Sequence, residues 1–193
     1  MMELEVIGPF SWLSSSADAP PRIFDVSAST KCGVYLFTVP MAKSRLIYWV
    51  GQTSQPVRAR LATHSREFLA GTYNVLDMAE LREGKRTVLW QGLWWRKDSA
   101  DRYEEYLLNA GKVAPLTLEQ LQVTHIYVIP TPKNRRLLAR LEASIVNTLY
   151  ADPEVGMILD RGYSLSPRWK TEDPIQIRLI GPSFRGLPSV LDV

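Results

Sequence analysis

The chain has 193 residues, 46% of them hydrophobic, a formal charge of +3 and a pI near 9.0. That length supports one ordinary domain, or one domain with extensions, and a real core. One cysteine and two histidines exclude an internal disulfide framework and a closed zinc site, so any metal is expected to be a hard cation held by oxygen.

The mild basicity is compatible with nucleic acid without demanding it. No apolar run approaches the roughly 20 residues that span a bilayer. Glu3 and Glu5 stand where a signal peptide carries Lys or Arg, so the expectation is a cytoplasmic protein without a membrane partner.

In chain order, Leu4-Glu5-Val6-Ile7 reads as a short strand ending at Gly8-Pro9, and Ser, Pro and Asp make 13–22 a loop. Cys32 to Thr38 and Leu46 to Thr53 are rich in β-branched and aromatic residues. The polar break Pro40 to Arg45 between them is of the kind that closes a hairpin. Gly33 and Gly51 allow close backbone approach at its outer ends. A helix is expected from Pro56 to Gly71, with Val57, Leu61, Phe68 and Leu69 as its apolar positions and His64 at the edge of that stripe. Val75 to Arg82 looks helical and Arg86 to Arg96 looks like strand or hairpin. A helix capped by Ser99 runs to Asn109 with Gly111 beyond its end, and Leu116 to Leu121 reads as another short helix. His125 to Ile129 is an apolar strand closed by Pro130. Asn134 to Tyr150 has the clearest helical period, with Leu138, Leu141, Ile145 and Leu149 on one face. Residues 151–174 read as mainly irregular, and Ile175 to Ile180 as a strand ending at Gly181-Pro182. The two terminal strands are expected to lie near each other and extend the sheet. The order implies an α+β fold, layered as in α/β proteins: a small mixed or antiparallel sheet flanked by helices.

Several side chains suit chemistry. Glu142 falls inside the apolar stripe of its helix, where a carboxylate is costly unless it is paired with an arginine such as Arg60 or Arg58, or bound to a metal. Arg60 and His64 stand one helical turn apart on one face. A guanidinium fork suits phosphate oxygens and an imidazole can relay a proton; the plainer readings are a solvated charge and a packed histidine. Strand tyrosines Tyr35 and Tyr48 either pack the sheet or, beside positive charge, act as bases. Arg82, Lys85 and Arg86, then Trp90, Trp94, Trp95, Arg96 and Lys97, mix cations with aromatics that either stack on bases or form the core of a local subdomain. Lys133, Arg135 and Arg136 open the Glu142 helix, where the macrodipole disfavours cations. Lys31, Lys43 and Arg45 flank the hairpin.

Gly33-Val34-Tyr35, Trp49-Val50-Gly51, the Arg60–His64 pair and the helical Glu142 appear in an order that resembles the GIY-YIG nuclease family. The second tripeptide has tryptophan where that family has tyrosine, and a one-residue bulge would bring the adjacent Tyr48 to that place. The resemblance implies a nuclease-like core over 31–165, interrupted by a largely helical insert at about 72–122, with terminal extensions at 1–30 and 166–193. It further implies a metal-dependent DNA endonuclease that hydrolyses backbone phosphodiesters, with Tyr35, Tyr48, Arg60, His64 and Glu142 catalytic. Glu142 would hold one Mg²⁺ or Mn²⁺. Lys43, Arg45, Arg58, Arg86, Arg96, Lys97, Lys133, Arg135 and Arg136 would contact DNA. A restriction role is the first expectation within the family, and a homodimer one arrangement that double-strand cleavage would favour. The alternative is a non-catalytic nucleic-acid-binding module on the same scaffold.

Overall fold

The structure is a computed structural model that describes residues 1–13, 18–42, 44–93, 99–160 and 163–193, with 99–101 described by backbone alone. The chain is α+β. Its centre is a four-stranded antiparallel sheet in the order β2 (Ile7–Ser11), β7 (His125–Pro130), β3 (Gly33–Pro40), β4 (Arg45–Thr53). β3 lies between two partners and is buried along almost its whole length, which is why it reads as a continuous apolar run rather than an alternating one. β4 is the edge strand.

Two helices bring polar groups to this sheet. In α1 (Val57–Leu69), Val57, Leu61, His64 and Phe68 are buried, whereas Leu69 is 46% exposed. Each of the buried apolar side chains contributes about 1.5–3 kcal/mol over its exposed state. Gly71, with φ of +70°, reverses the chain just past the helix, as glycine does at this position. α4 (Arg135–Ala151) is capped by Asn134, whose side-chain oxygen accepts from the backbone N–H of Arg136 at 2.9 Å and of Leu137 at 3.1 Å; such a cap is worth about 1 kcal/mol. The helix lies against β3 and β4 through Leu138, Leu141, Ile145 and Leu149, all fully buried.

The terminal strands do lie together: β1 (Met2–Glu5) pairs in parallel with β8 (Gln176–Ile180), which pairs in turn with β9 (Val190–Asp192). They form a sheet of their own instead of extending the central one. The chain breaks direction between β1 and β2, so β2 alone reaches the central sheet.

The insert departs further from expectation. Val75 to Arg82 splits into β5 (Val75–Leu76) and α2 (Met78–Arg82), because Asp77 caps the helix by accepting from the N–H of Ala79 and of Glu80. β5 pairs with β6 (Val88–Trp90). α3 runs unbroken over Ser99–Val123 with Pro115 inside it, so Gly111 is not a stop and Leu116 to Leu121 is no separate helix. Burial of Tyr106, Val113 and Leu121 along its length outweighs two weak helix formers. Trp90 packs with Val75, Leu93, Tyr106 and Val113 in a satellite core, so it is core rather than a base-stacking surface. Trp94, Trp95, Arg96 and Lys97, like Lys43, lie outside the described residues. Among the described residues no helix is long and apolar enough to cross a membrane.

Candidate active site

The site forms at the end of the β3–β4 hairpin away from its turn, where Tyr35 sits opposite Gly51. The Tyr35 ring folds across the strand onto that glycine: a Cβ at position 51 would lie 2.3 Å from the phenol oxygen. Glycine is therefore required at 51 by the tyrosine facing it. From α1, His64 meets the same phenol, with Nε2 2.7 Å from the Tyr35 oxygen. The Arg60 guanidinium, one turn earlier on a solvent-exposed stretch of α1, lies within electrostatic reach of Tyr35. From α4, Glu142 comes beside the backbone N–H of Gln52 on β4 and lies within electrostatic reach of Arg60 and Tyr35. Four residues scattered along the chain thus meet at one corner of the sheet, with Tyr35 and His64 buried, Glu142 half-buried and Arg60 at the surface.

Burial sets their protonation. Glu142 is pushed up from 4.5 to about 7 by desolvation, against the pull of the Gln52 N–H and of Arg60. Desolvation holds the Tyr35 phenol well above its usual range, although Arg60 draws it back down. His64 is 1% exposed, and burial with the nearby Arg60 charge pulls it to about 3. The imidazole is therefore neutral near neutral pH. Its Nδ1 has no hydrogen-bond partner among the described residues. Orphaned buried N–H groups are rare, so the proton is assigned to Nε2, which donates to the Tyr35 oxygen. The His64 Nε2–H then meets the phenol oxygen, with the Arg60 charge within reach of it.

The bulge in β4 is present: the register shifts between Phe37 and Thr38, leaving Tyr48 as the extra residue. It does not bring that phenol to the site. Tyr48 is 3% exposed and its hydroxyl is bonded to Thr124 Oγ1 at 2.6 Å, at the end of α3. Trp49 stands against the site instead. Its ring is stacked on Phe37 at 6.2 Å and meets His64 edge-on at 6.0 Å. Two residues beyond the expected set also lie here. Tyr73 packs against His64 at 5.3 Å and Trp49 at 5.5 Å. Tyr163 accepts the backbone N–H of Val50 at 3.0 Å. Neither has a period or a motif in the sequence that would single it out.

The cations sort into two groups. Arg58, Lys133 and Arg135 are exposed and in no ion pair among the described residues. They stand where β4 leads into α1 and β7 into α4, beside the site. Arg86 is committed to an ion pair with Asp160. Arg136 bonds Glu172 and the carbonyls of Ser166 at 2.9 Å and Pro167 at 2.7 Å, and stacks on Trp169 at 4.2 Å. Arg45 pairs with Pro40 at the turn end of the hairpin and sits 5.9 Å over the Tyr127 ring; that is about 20 Å along the strand from Gly51.

Among the described residues no group of three or more His, Cys, Asp or Glu gathers that could hold a metal ion. A lone carboxylate beside a cation and a phenol fits a hard cation that keeps most of its water, and not a soft-metal cage. Compared with protein-family models, with curated proteins and with solved structures, the chain finds no match in any of the three.

Proposed function

We propose that this protein is a metal-dependent phosphodiesterase acting on DNA, in the manner of the GIY-YIG nucleases it resembles. The observation that carries the reading is the convergence of Tyr35, Arg60, His64 and Glu142 on one corner of the sheet, with the Tyr35 oxygen 2.7 Å from His64 Nε2. Arg60 binds a non-bridging oxygen of the scissile phosphate and balances its charge. Burial keeps the Tyr35 phenol protonated in the free protein; the charge of Arg60 and of a cation at Glu142 would favour the phenolate, which, its own proton having left to solvent, accepts the proton of the attacking water. His64, kept neutral, orients that oxygen and stabilises its charge through the Nε2–H. Glu142 holds one Mg²⁺ or Mn²⁺, which when bound supplies positive charge to the phosphate and the departing oxygen. Arg58, Lys133 and Arg135 track the flanking backbone.

Plasmid nicking by the purified protein in Mg²⁺ tests the proposal. Cutting that is lost in Glu142→Ala, with the variant still folded, supports it; no cutting at any divalent ion tried overturns it. Trp49 at the second strand position favours one other reading, a nucleic-acid-binding module without catalysis. In that case DNA binds, weakening with salt, and is never cut.

A further inference from the structure

The corner that holds Tyr35 also holds another phenol, delivered from an unexpected direction. After α1 the chain turns back at Gly71, fixed by the Gly71 N–H to Phe68 O bond at 3.0 Å and the Thr72 N–H to Glu67 O bond at 2.9 Å. The next residue but one, Tyr73, falls into the notch between α1 and β4. Its ring is wedged against Phe68 at 5.0 Å, His64 at 5.3 Å and Trp49 at 5.5 Å. It remains partly open to solvent. Arg60 lies within electrostatic reach of it, so one exposed guanidinium is flanked by two phenols.

The loop carrying Tyr73 is held from behind. Trp90 Nε1–H donates to the Gly71 carbonyl at 2.8 Å, and the Leu93 N–H donates to the same oxygen at 3.1 Å. Asn74, beside Tyr73, accepts from the Gly92 N–H at 2.8 Å and donates to Asp160 at 3.2 Å. The insert thus fixes the residues on both sides of Tyr73, which is the kind of support a positioned functional side chain needs. Meanwhile β4 offers no phenol here, since Trp49 has only an N–H donor and the Tyr48 hydroxyl is sealed against Thr124.

We propose that Tyr73 is a second catalytic phenol of this site, donating its hydroxyl to a non-bridging oxygen of the phosphodiester that Arg60 grips, with the insert as the brace that sets it. The assignment rests on the phosphodiesterase reading above. Tyr73→Phe keeps the ring and its packing and removes one donor, and circular dichroism checks that the fold is kept. Nicking in Mg²⁺ falls roughly 10- to 100-fold in kcat/KM. Adding Trp49→Tyr to that variant returns a phenol from β4 and recovers part of the lost rate, an outcome that a packing role for Tyr73 would not give.

If wild type cuts and Tyr35→Phe and Glu142→Ala abolish cutting, but Tyr73→Phe cuts at the wild-type rate, the Tyr73 assignment falls and the enzyme reading stands. If wild type does not cut at all, the enzyme reading falls and the Tyr73 assignment falls with it.

Discussion

Replacing Glu142 by glutamine separates a ligand-binding carboxylate from a structural one by the sign of a stability change. The folded-state pKa of Glu142 is about 7, against an ordinary value of 4.5. In the unfolded chain this carboxyl loses its proton first, so between those two values the folded state holds the extra proton. Stability therefore falls as pH rises through that window, and the loss is complete above the folded pKa. At about 1.36 kcal/mol per pKa unit the ceiling is roughly 3 kcal/mol, and partial solvent access trims it to ~1–2 kcal/mol. Glu142→Gln keeps the shape but cannot ionise. In EDTA it is expected to match wild type near pH 4 and to exceed it by ~1–2 kcal/mol at pH 8.5, a rise of several degrees in Tm for a chain of this size. Mg²⁺ raises the wild-type midpoint by mass action and leaves the glutamine variant where it was. Urea melts at a series of pH values, with and without Mg²⁺, read all of this. A glutamine variant less stable than wild type at pH 8.5 would mean that Glu142 is held by Arg60 as a structural ion pair, and the reasoning fails.

Tyr35→Phe strands one buried donor, the His64 Nε2–H. It is expected to lower stability by about 1–3 kcal/mol and to cost at least ~100-fold in nicking rate; denaturant melts and plasmid assays check both. His64, drawn down to about 3, should show no titration of its ring protons by NMR between pH 5 and 8, and its contribution to stability should fade only as pH drops from about 6.5 towards 3. Gly51→Ala drives a methyl group into the Tyr35 hydroxyl and should abolish nicking while the fold survives by circular dichroism. Substituting Arg58, Lys133 or Arg135 by Ala should each lower the salt slope of DNA binding by about 1. The same change at Arg86 or Arg136 should leave that slope alone and lower the melting temperature, because their charges are spent inside the protein.

The hairpin, α1 and α4 were legible because each carries its own local signal: β-branched runs around a polar break, an apolar period ended by glycine, and an asparagine cap before a strong stripe. Tyr35, Arg60, His64 and Glu142 converge as their order in the chain implied. The insert was legible only in pieces. Gly111 and Pro115 mark a helix end by local rules, and it is the tertiary burial of Tyr106, Val113 and Leu121 that carries α3 through them. Tyr48 misled for another reason. The bulge that frees it from strand pairing leaves its hydroxyl to be decided by the nearest buried acceptor, Thr124, which lies far along the sequence. Tyr73 depends on Gly71 for direction and on Trp90 and Asn74 for support, and no short window of sequence contains that arrangement. The helical period puts His64 at the edge of a stripe; its full burial, and with it the loss of its ordinary titration, comes from the aromatic rings of Phe37, Trp49 and Tyr73 closing over it.

β4 is the outermost strand of the central sheet, and such a strand ordinarily offers a row of open amides to any other extended chain. One of those amides is already spoken for, since Val50 gives its hydrogen to Tyr163, and Glu142 stands beside the next, at Gln52. Another molecule of this protein cannot lengthen the sheet on that side without prising off Tyr163 and crowding Glu142 as it does so. Self-association by strand addition there is therefore incompatible with an intact site, and a pair of copies cutting opposite strands of a duplex would have to meet through some other face.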